Sequence, residues 1–167
     1  MTDIIFKDAL IIIDLIKIKL LPAVLSLPLS FYTTDYIVAE ITDEQQQLFL
    51  DMCIEIGTIR VMEANAEDIT GIEHIFNKIK KLSFADSSVI FFAQKMNAII
   101  FTSDRRIRKE AEDKKIEVHG IFWIFQMLID NIKITKHEAS DKLKELMSIN
   151  TYLSKEECNK LLQEWKR

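Results

Sequence analysis

The sequence predicts an α/β fold with a parallel central sheet, on three observations. Short β-branched and aromatic runs alternate with longer helical patterns, as in strand–helix–strand units. The first and fourth runs are apolar rather than alternating, as strands covered on both faces are, while Thr58 to Met62 alternates enough for a strand. Glycine (3) and proline (2) are scarce while charged residues make up 29%, which fits a packed domain with a solvated surface and few flexible linkers.

The elements follow in order. Asp3 to Lys7, with Ile4, Ile5 and Phe6, reads as a buried strand ended by Asp8. Ala9 to Leu21 is densely apolar with Asp14, Lys17 and Lys19 as its polar members, a mostly buried helix, and Pro22 and Pro28 mark turns or helix boundaries beyond it. Phe31 to Thr34 is a second strand. Thr34 or Asp35 caps a helix from Tyr36 that carries Ile37, Val38, Glu40 and Ile41, so Glu40 is expected one turn inside it. Asp43 to Ile56 repeats Leu48, Met52 and Ile56 every four residues, and Thr58 to Met62 is a third strand.

Glu67 to Lys80 is helical. Ser83 and Asp86 have cap spacing before the apolar run Val89, Ile90, Phe92 and Ala93, with Asp where the usual box has Glu or Gln. Ala98 to Phe101 is a fourth strand, apolar throughout and so expected near the centre. Asp104 opens a helix to Asp113, Ile116 to Val118 is a fifth strand, and His119-Gly120 leads into a helix over Ile121 to Ile129. A helix from Lys136 to Met147 follows, and Ser154 with Glu157 forms a capping box for the last one. The expected architecture is a three-layer α/β/α domain with about five parallel strands over residues 1–132, and a C-terminal helical extension over 133–167 packed on the same domain.

Bulk properties narrow the function. The 167 residues suit one domain, and 49% apolar content argues against disorder. No stretch is free enough of charge to span a membrane, and Asp3 and Asp8 interrupt any signal-peptide pattern, so a cytoplasmic protein is expected. Cys53 and Cys158 lie outside any CxxC pattern and read as small buried groups rather than a disulfide. His74, His119 and His137 lack zinc-ligand spacing. The net charge of −4 weighs mildly against a nucleic-acid binder that relies on neutralising phosphate, although a carboxylate cluster built for a cation would itself add negative charge.

Asp8 and Asp104 fall at the carboxyl ends of the first and fourth strands, where ligands bind in open α/β sheets. Glu40 and Asp86 fall on helices whose first turns can face the same crevice. Clustered carboxylates repel one another unless a cation is present, and hard oxygen donors suit Mg²⁺ or Mn²⁺. Taken singly, each acid also has an ordinary structural reading: a turn residue for Asp8, a solvated helix position for Glu40, a helix-dipole partner for Asp86 and an N-cap for Asp104.

Four segments taken together resemble the PIN-domain family: IIFKDALIIIDLIKIKLL from Ile4, FYTTDYIVAEI from Phe31, LSFADSSVIFFA from Leu82 and AIIFTSDRRIRKEAEDKKIEVHG from Ala98. With their order they cover most of residues 4–130. The family places one acid in each segment, here Asp8, Glu40, Asp86 and Asp104, and its T-x-D element is Thr102-Ser103-Asp104. The resemblance implies a metal-dependent endoribonuclease. Its Mg²⁺ or Mn²⁺ would be held by Asp8, Asp86 and Asp104, with Glu40 completing the catalytic set, and it would activate a water against the phosphodiester. It also implies an RNA substrate, an antitoxin protein as partner if the chain is the toxin of a toxin–antitoxin pair, and a homodimer. The chain departs from the family at Leu10, where Ser or Asn is usual, so no side-chain hydrogen bond is supplied there.

Arg105, Arg106, Arg108 and Lys109 directly follow Asp104. They read either as phosphate contacts, Arg105 first because it is nearest Asp104, or as a solvated face paired with Glu110, Glu112 and Asp113. Thr102 is expected to orient Asp104 through its hydroxyl, beside bound substrate. Phe122, Trp123 and Phe125 read as core rather than as a base-stacking platform. The rival function is a non-catalytic PIN-like module that binds a protein partner, favoured by Leu10 and the negative charge. A phosphatase or phospho-receiver domain lacks support, because Asp8-Ala9-Leu10 has no D-x-D pair.

Overall fold

Every strand pairing in this chain is parallel, and the strand order places the first strand in the middle. The computed structural model describes residues 2–6 and 9–166, with the side chains of Ala9, Leu10 and Gln46 left aside. In chain order the elements are β1 (Thr2–Phe6), α1 (Ala9–Lys17), α2 (Leu21–Leu25), β2 (Leu29–Thr34), α3 (Asp35–Val38), α4 (Glu44–Glu55) and β3 (Ile59–Met62). They continue with α5 (Ala66–Lys78), α6 (Phe84–Met96), β4 (Ile99–Phe101), α7 (Arg105–Asp113), β5 (Val118–His119), α8 (Ile121–Asp130), α9 (Lys136–Ile149) and α10 (Lys155–Glu164). The sheet runs β3-β2-β1-β4-β5, flanked by helices in a three-layer α/β/α fold. The predicted five-stranded parallel sheet is what the chain forms. Two compact units are distinguished, one of Met1–Ile12 with Pro28–Ile121 and one of Ile13–Leu27 with Phe122–Arg167.

The first unit holds the whole sheet. Ile4 pairs with Phe31 and Ile99, Ile5 with Ile100, and Phe6 with Phe101. Alternation then sorts the side chains by face. Ile5 and Ile100 join Ile37, Ile72, Val89, Ile90, Phe92 and Ile107 in one continuous apolar cluster, which seats α3, α5, α6 and α7. Phe6 stacks instead on Phe31 and Phe101, with centroids 5.5 and 5.8 Å apart. Each such fully buried side chain contributes about 1.5–3 kcal/mol. Gly71 lets α5 and α6 approach closely, since a Cβ there would lie 2.3 Å from the Phe91 ring. Lys95 of α6 adds an ion pair to Asp68 of α5, Nζ to Oδ1 2.6 Å.

Two helices end about a turn earlier than their patterns predict, while α4 and α5 stop only one and two residues short, at Glu55 and Lys78. The apolar run from Ala9 does not continue to Leu21: α1 stops at Lys17, and a separate short helix, α2, starts at Leu21 with Pro22 in its first turn, where a missing N–H costs nothing. Lys19 turns left-handed at φ 58°, its N–H reaching Ile16 O and that of Leu20 reaching Leu15 O. The second correction concerns Glu40. α3 is a single turn ending at Val38, so Glu40 lies in the turn that follows, exposed, rather than inside a helix.

The same left-handed closure ends α4, α6, α7 and α8 at Gly57, Asn97, Lys115 and Ile132, in each case with the N–H of the next residue bonded five residues back. With so few glycines, side-chain-bearing residues fill most of these positions. In the second unit, Thr135 and Glu138 form a reciprocal box that starts α9. Ser154 accepts from Glu157 N–H to start α10, and the Phe125 and Trp165 rings meet at 5.7 Å, which fits Phe125 as core. The buried Asp14 accepts from Asn150 Nδ2 at 2.6 Å. Cys53 and Cys158 are both buried free thiols. Among the described residues no helix is long and apolar enough to cross a membrane.

Ile132 is β-branched, left-handed at φ 54° and 91% exposed, so its side chain burdens the backbone and contributes little packing. Ile132→Gly is expected to stabilise the protein by about 1 kcal/mol and to raise Tm by roughly 2–4 °C. A melting curve that is unchanged or shifted downwards would refute that account of the α8 terminus.

Candidate functional site

The strand order creates one switch point. From β1 the chain steps outward to β2 and β3, then returns to lay β4 on the other side of β1. Connections leave β1 and β4 toward opposite edges, and in open α/β sheets ligands bind beyond the carboxyl ends of the strands at such a point. Asp104 comes three residues after β4, and Asp8 comes two residues after β1 in sequence. Asp8 itself lies outside the described residues, as does the side chain of Leu10.

Asp104 is set by its neighbours on both sides. Thr102, fully buried at the end of β4, takes Asp104 N–H on Oγ1 at 3.0 Å, while Thr102 N–H bonds His119 O beside it. Asp104 has extended backbone (φ −76°, ψ 118°) and caps α7, its Oδ1 accepting Arg106 N–H at 2.8 Å. The Asp104 carboxylate is 18% exposed. Thr102 therefore bonds the backbone of Asp104 and has no exposed surface, and Arg105 is exposed.

Asp86 occupies the third position of α6. Its Oδ2 accepts Ser83 N–H at 2.9 Å and Ser83 Oγ accepts Asp86 N–H at 3.0 Å, a reciprocal box with Asp in place of the usual Glu. Asp86 is buried. Glu40 is exposed in the turn after α3. Asp86 and Asp104 act on the same group: the hydrogen bond and charge of Asp104, and more weakly the charge of Asp86, push the Arg106 guanidinium further up from its already high pKa.

Between α3 and α6 runs a relay of buried hydroxyls. Ser88 Oγ donates to Ala85 O at 2.7 Å, so the 2.9 Å bond between Thr34 and Ser88 has Thr34 as donor, and Thr34 Oγ1 accepts Ile37 N–H at 3.3 Å. Ser87 Oγ donates to Ser83 O at 2.9 Å. The sequence reading missed Thr34 and Ser88 as a pair, since 54 residues separate them; the only signal was two polar residues ending an otherwise apolar strand and two more following Asp86. Arg106 turns to Asp104 and Arg108 Nη1 reaches the Val118 carbonyl at 3.2 Å, rather than the acids of their own helix.

Among the described residues no group of three or more His, Cys, Asp and Glu side chains converges as a metal site. The acids at the starts of α6 and α7, Asp86 and Asp104, offer hard oxygen donors, and that chemistry fits Mg²⁺ or Mn²⁺ rather than a softer ion.

A family model described as PIN domain matches residues 4–167, nearly the whole chain. The chain belongs to the PIN-domain family. It is 33% identical over 91 residues to endoribonuclease Nob1 of Methanocaldococcus jannaschii, a match covering 54% of this chain and 45% of that protein. It is 29% identical over 83 residues to endoribonuclease Nob1 of Pyrococcus abyssi, covering 48% and 52%. The chain thus spans about half the length of the curated relatives it matches. Its fold is similar to the structure of VapBC-1 from nontypeable Haemophilus influenzae, with a TM-score of 0.51 at 16% identity over 72% of this chain and 98% of that one.

The Thr102 hydroxyl fixes the backbone from which Asp104 projects, so Thr102→Val strands a buried N–H and is expected to destabilise the protein by about 1 kcal/mol. Thr102→Ser retains the acceptor and is expected to recover most of the loss. Denaturant titration of the two variants checks this, and equal stability of Val and Ser variants would count against it.

Proposed function

We propose that this PIN-domain chain is a divalent-metal-dependent endoribonuclease, with Asp8, Asp86 and Asp104 as the metal ligands and Glu40 completing the acidic set. The observation that carries the reading is the pair of helix starts at the switch-point edge, each with an acid held by its cap, and with Arg106 folded onto Asp104. The likeness to two proteins named endoribonucleases supports RNA as the substrate. Its finer form, a toxin held by an antitoxin protein, stays attached to the family resemblance, as does a homodimer.

The chain's own groups suit the task in three ways. Backbone N–H donors at the starts of α6 and α7 hold the two carboxylates as acceptors, which fixes their orientation. Anionic side chains repel a phosphodiester, so the edge requires a cation between them and the substrate. A divalent cation, when bound, neutralises that charge and supplies Lewis acidity toward water and the phosphoryl oxygen. Arg105 and Arg106 at the exposed start of α7 give the edge guanidinium groups that can face phosphate.

Asp104→Asn is the informative variant, because Asn caps a helix as well as Asp does and the fold is retained. It is expected to lower Mn²⁺-dependent cleavage of a single-stranded RNA roughly 100-fold or more, with an unchanged circular dichroism spectrum. Asp8→Asn is expected to do the same, and EDTA to abolish cleavage by the unaltered protein. Undiminished cleavage by Asp104→Asn would remove the proposal in favour of a non-catalytic interaction module.

A further inference from the structure

Arg106 does more than follow Asp104 in sequence. Side chains two apart do not normally face each other on a helix, yet these two meet because Asp104 is the cap, with extended backbone that turns its carboxylate back over the first turn. Arg106 Nη2 donates to Asp104 Oδ2 at 2.8 Å and Arg106 Nε to Asp104 Oδ1 at 3.3 Å, a two-pronged contact on both carboxylate oxygens. The same guanidinium lies within the field of Asp86. Its side chain is 62% exposed against 18% for the carboxylate, so it closes over the acid from the solvent side and has room to turn away. Arg108 differs, being tied to the Val118 carbonyl.

A divalent cation on Asp104 would need the oxygens that Arg106 holds, and two cations on one carboxylate repel. We infer that Arg106 is the resident counter-cation of the acidic edge: its guanidinium occupies Asp104 in the metal-free protein and is displaced when a divalent cation binds. The inference rests on the metal-site reading above. It assigns Arg106 a part that no composition or spacing argument gave it. It also predicts a sign. A group that competes with the metal weakens metal binding, whereas one that merely holds Asp104 in place strengthens it.

The test is a Mn²⁺ titration by calorimetry on the full chain, its Arg106→Gln and Arg106→Lys variants, and Asp104→Asn as control. Arg106→Gln is expected to bind Mn²⁺ about three- to tenfold more tightly than the unaltered protein. Arg106→Lys, which keeps the charge without the planar fork, is expected to fall between them. Thermal melts report independently, since the Mn²⁺-induced rise in Tm should be larger for Arg106→Gln. Equal or weaker Mn²⁺ binding by Arg106→Gln overturns the inference, as does absence of binding by all the proteins. Should Arg106→Gln fail to fold, tighter binding by Arg106→Lys supports the inference, and equal or weaker binding overturns it. RNA cleavage measured on the same samples separates the two readings. Tighter binding without cleavage keeps the counter-cation and removes the nuclease, while cleavage with equal affinities does the reverse.

Discussion

Of the eight polar or charged residues buried among those described, six gather at one edge of the sheet: Thr33, Thr34, Asp86, Ser87, Ser88 and Thr102. A parallel sheet covered on both faces leaves no place for polar side chains along its strands. They collect where the strands end, and there each must find a partner, because an unpaired buried polar group costs about 1–3 kcal/mol. Among the described residues no buried side-chain nitrogen or oxygen lacks one. The relay from Ile37 N–H through Thr34 and Ser88 to Ala85 O meets that requirement with neutral hydroxyls. In doing so it locks the start of α3 against the start of α6, and with it the turn bearing Glu40 against the helix bearing Asp86. Thr102 does the equivalent for Asp104.

Much of this was legible in the chain because apolar runs and helical patterns alternate so cleanly. Ile4 to Phe6 and Ile99 to Phe101 could hardly be other than buried strands, and alternation implied that they run parallel. What alternation does not encode is the order of strands. That β4 returns beside β1 is a tertiary fact, set by how faces pair rather than by local propensity. Boundaries also moved wherever one residue overrode a pattern. The left-handed turn at Lys19 closed the helix from Ala9 before the apolar run was used up, and the single turn of α3 left Glu40 outside.

The arginines show a different limit. Nearness in sequence favoured Arg105, and helical spacing favoured pairing with acids a turn further on. Neither rule describes the capping residue, whose backbone is extended and whose side chain folds back over the helix it starts. The acid at the cap therefore meets Arg106, two positions away. The Ser83 and Asp86 pair, by contrast, was readable from spacing, because the capping box is a local motif of fixed register.

The structural readings of these acids, set from sequence against a functional one, describe the geometry that forms. Asp104 is an N-cap and Asp86 a first-turn acid, as the plain readings had it, and each stands at the amino end of a helix facing the switch-point edge. Capping fixes a carboxylate against backbone donors, removes its rotational freedom and lowers the cost of its negative charge. Those are the properties wanted of a ligand that must hold its pose before a cation arrives. The cost is a standing negative field at the edge, and a guanidinium folded back from within the same helix offsets it without recruiting a residue from elsewhere in the chain. The cap and the counter-cation are then two halves of one arrangement, in which α7 supplies both the acid's fixed position and the charge that occupies it.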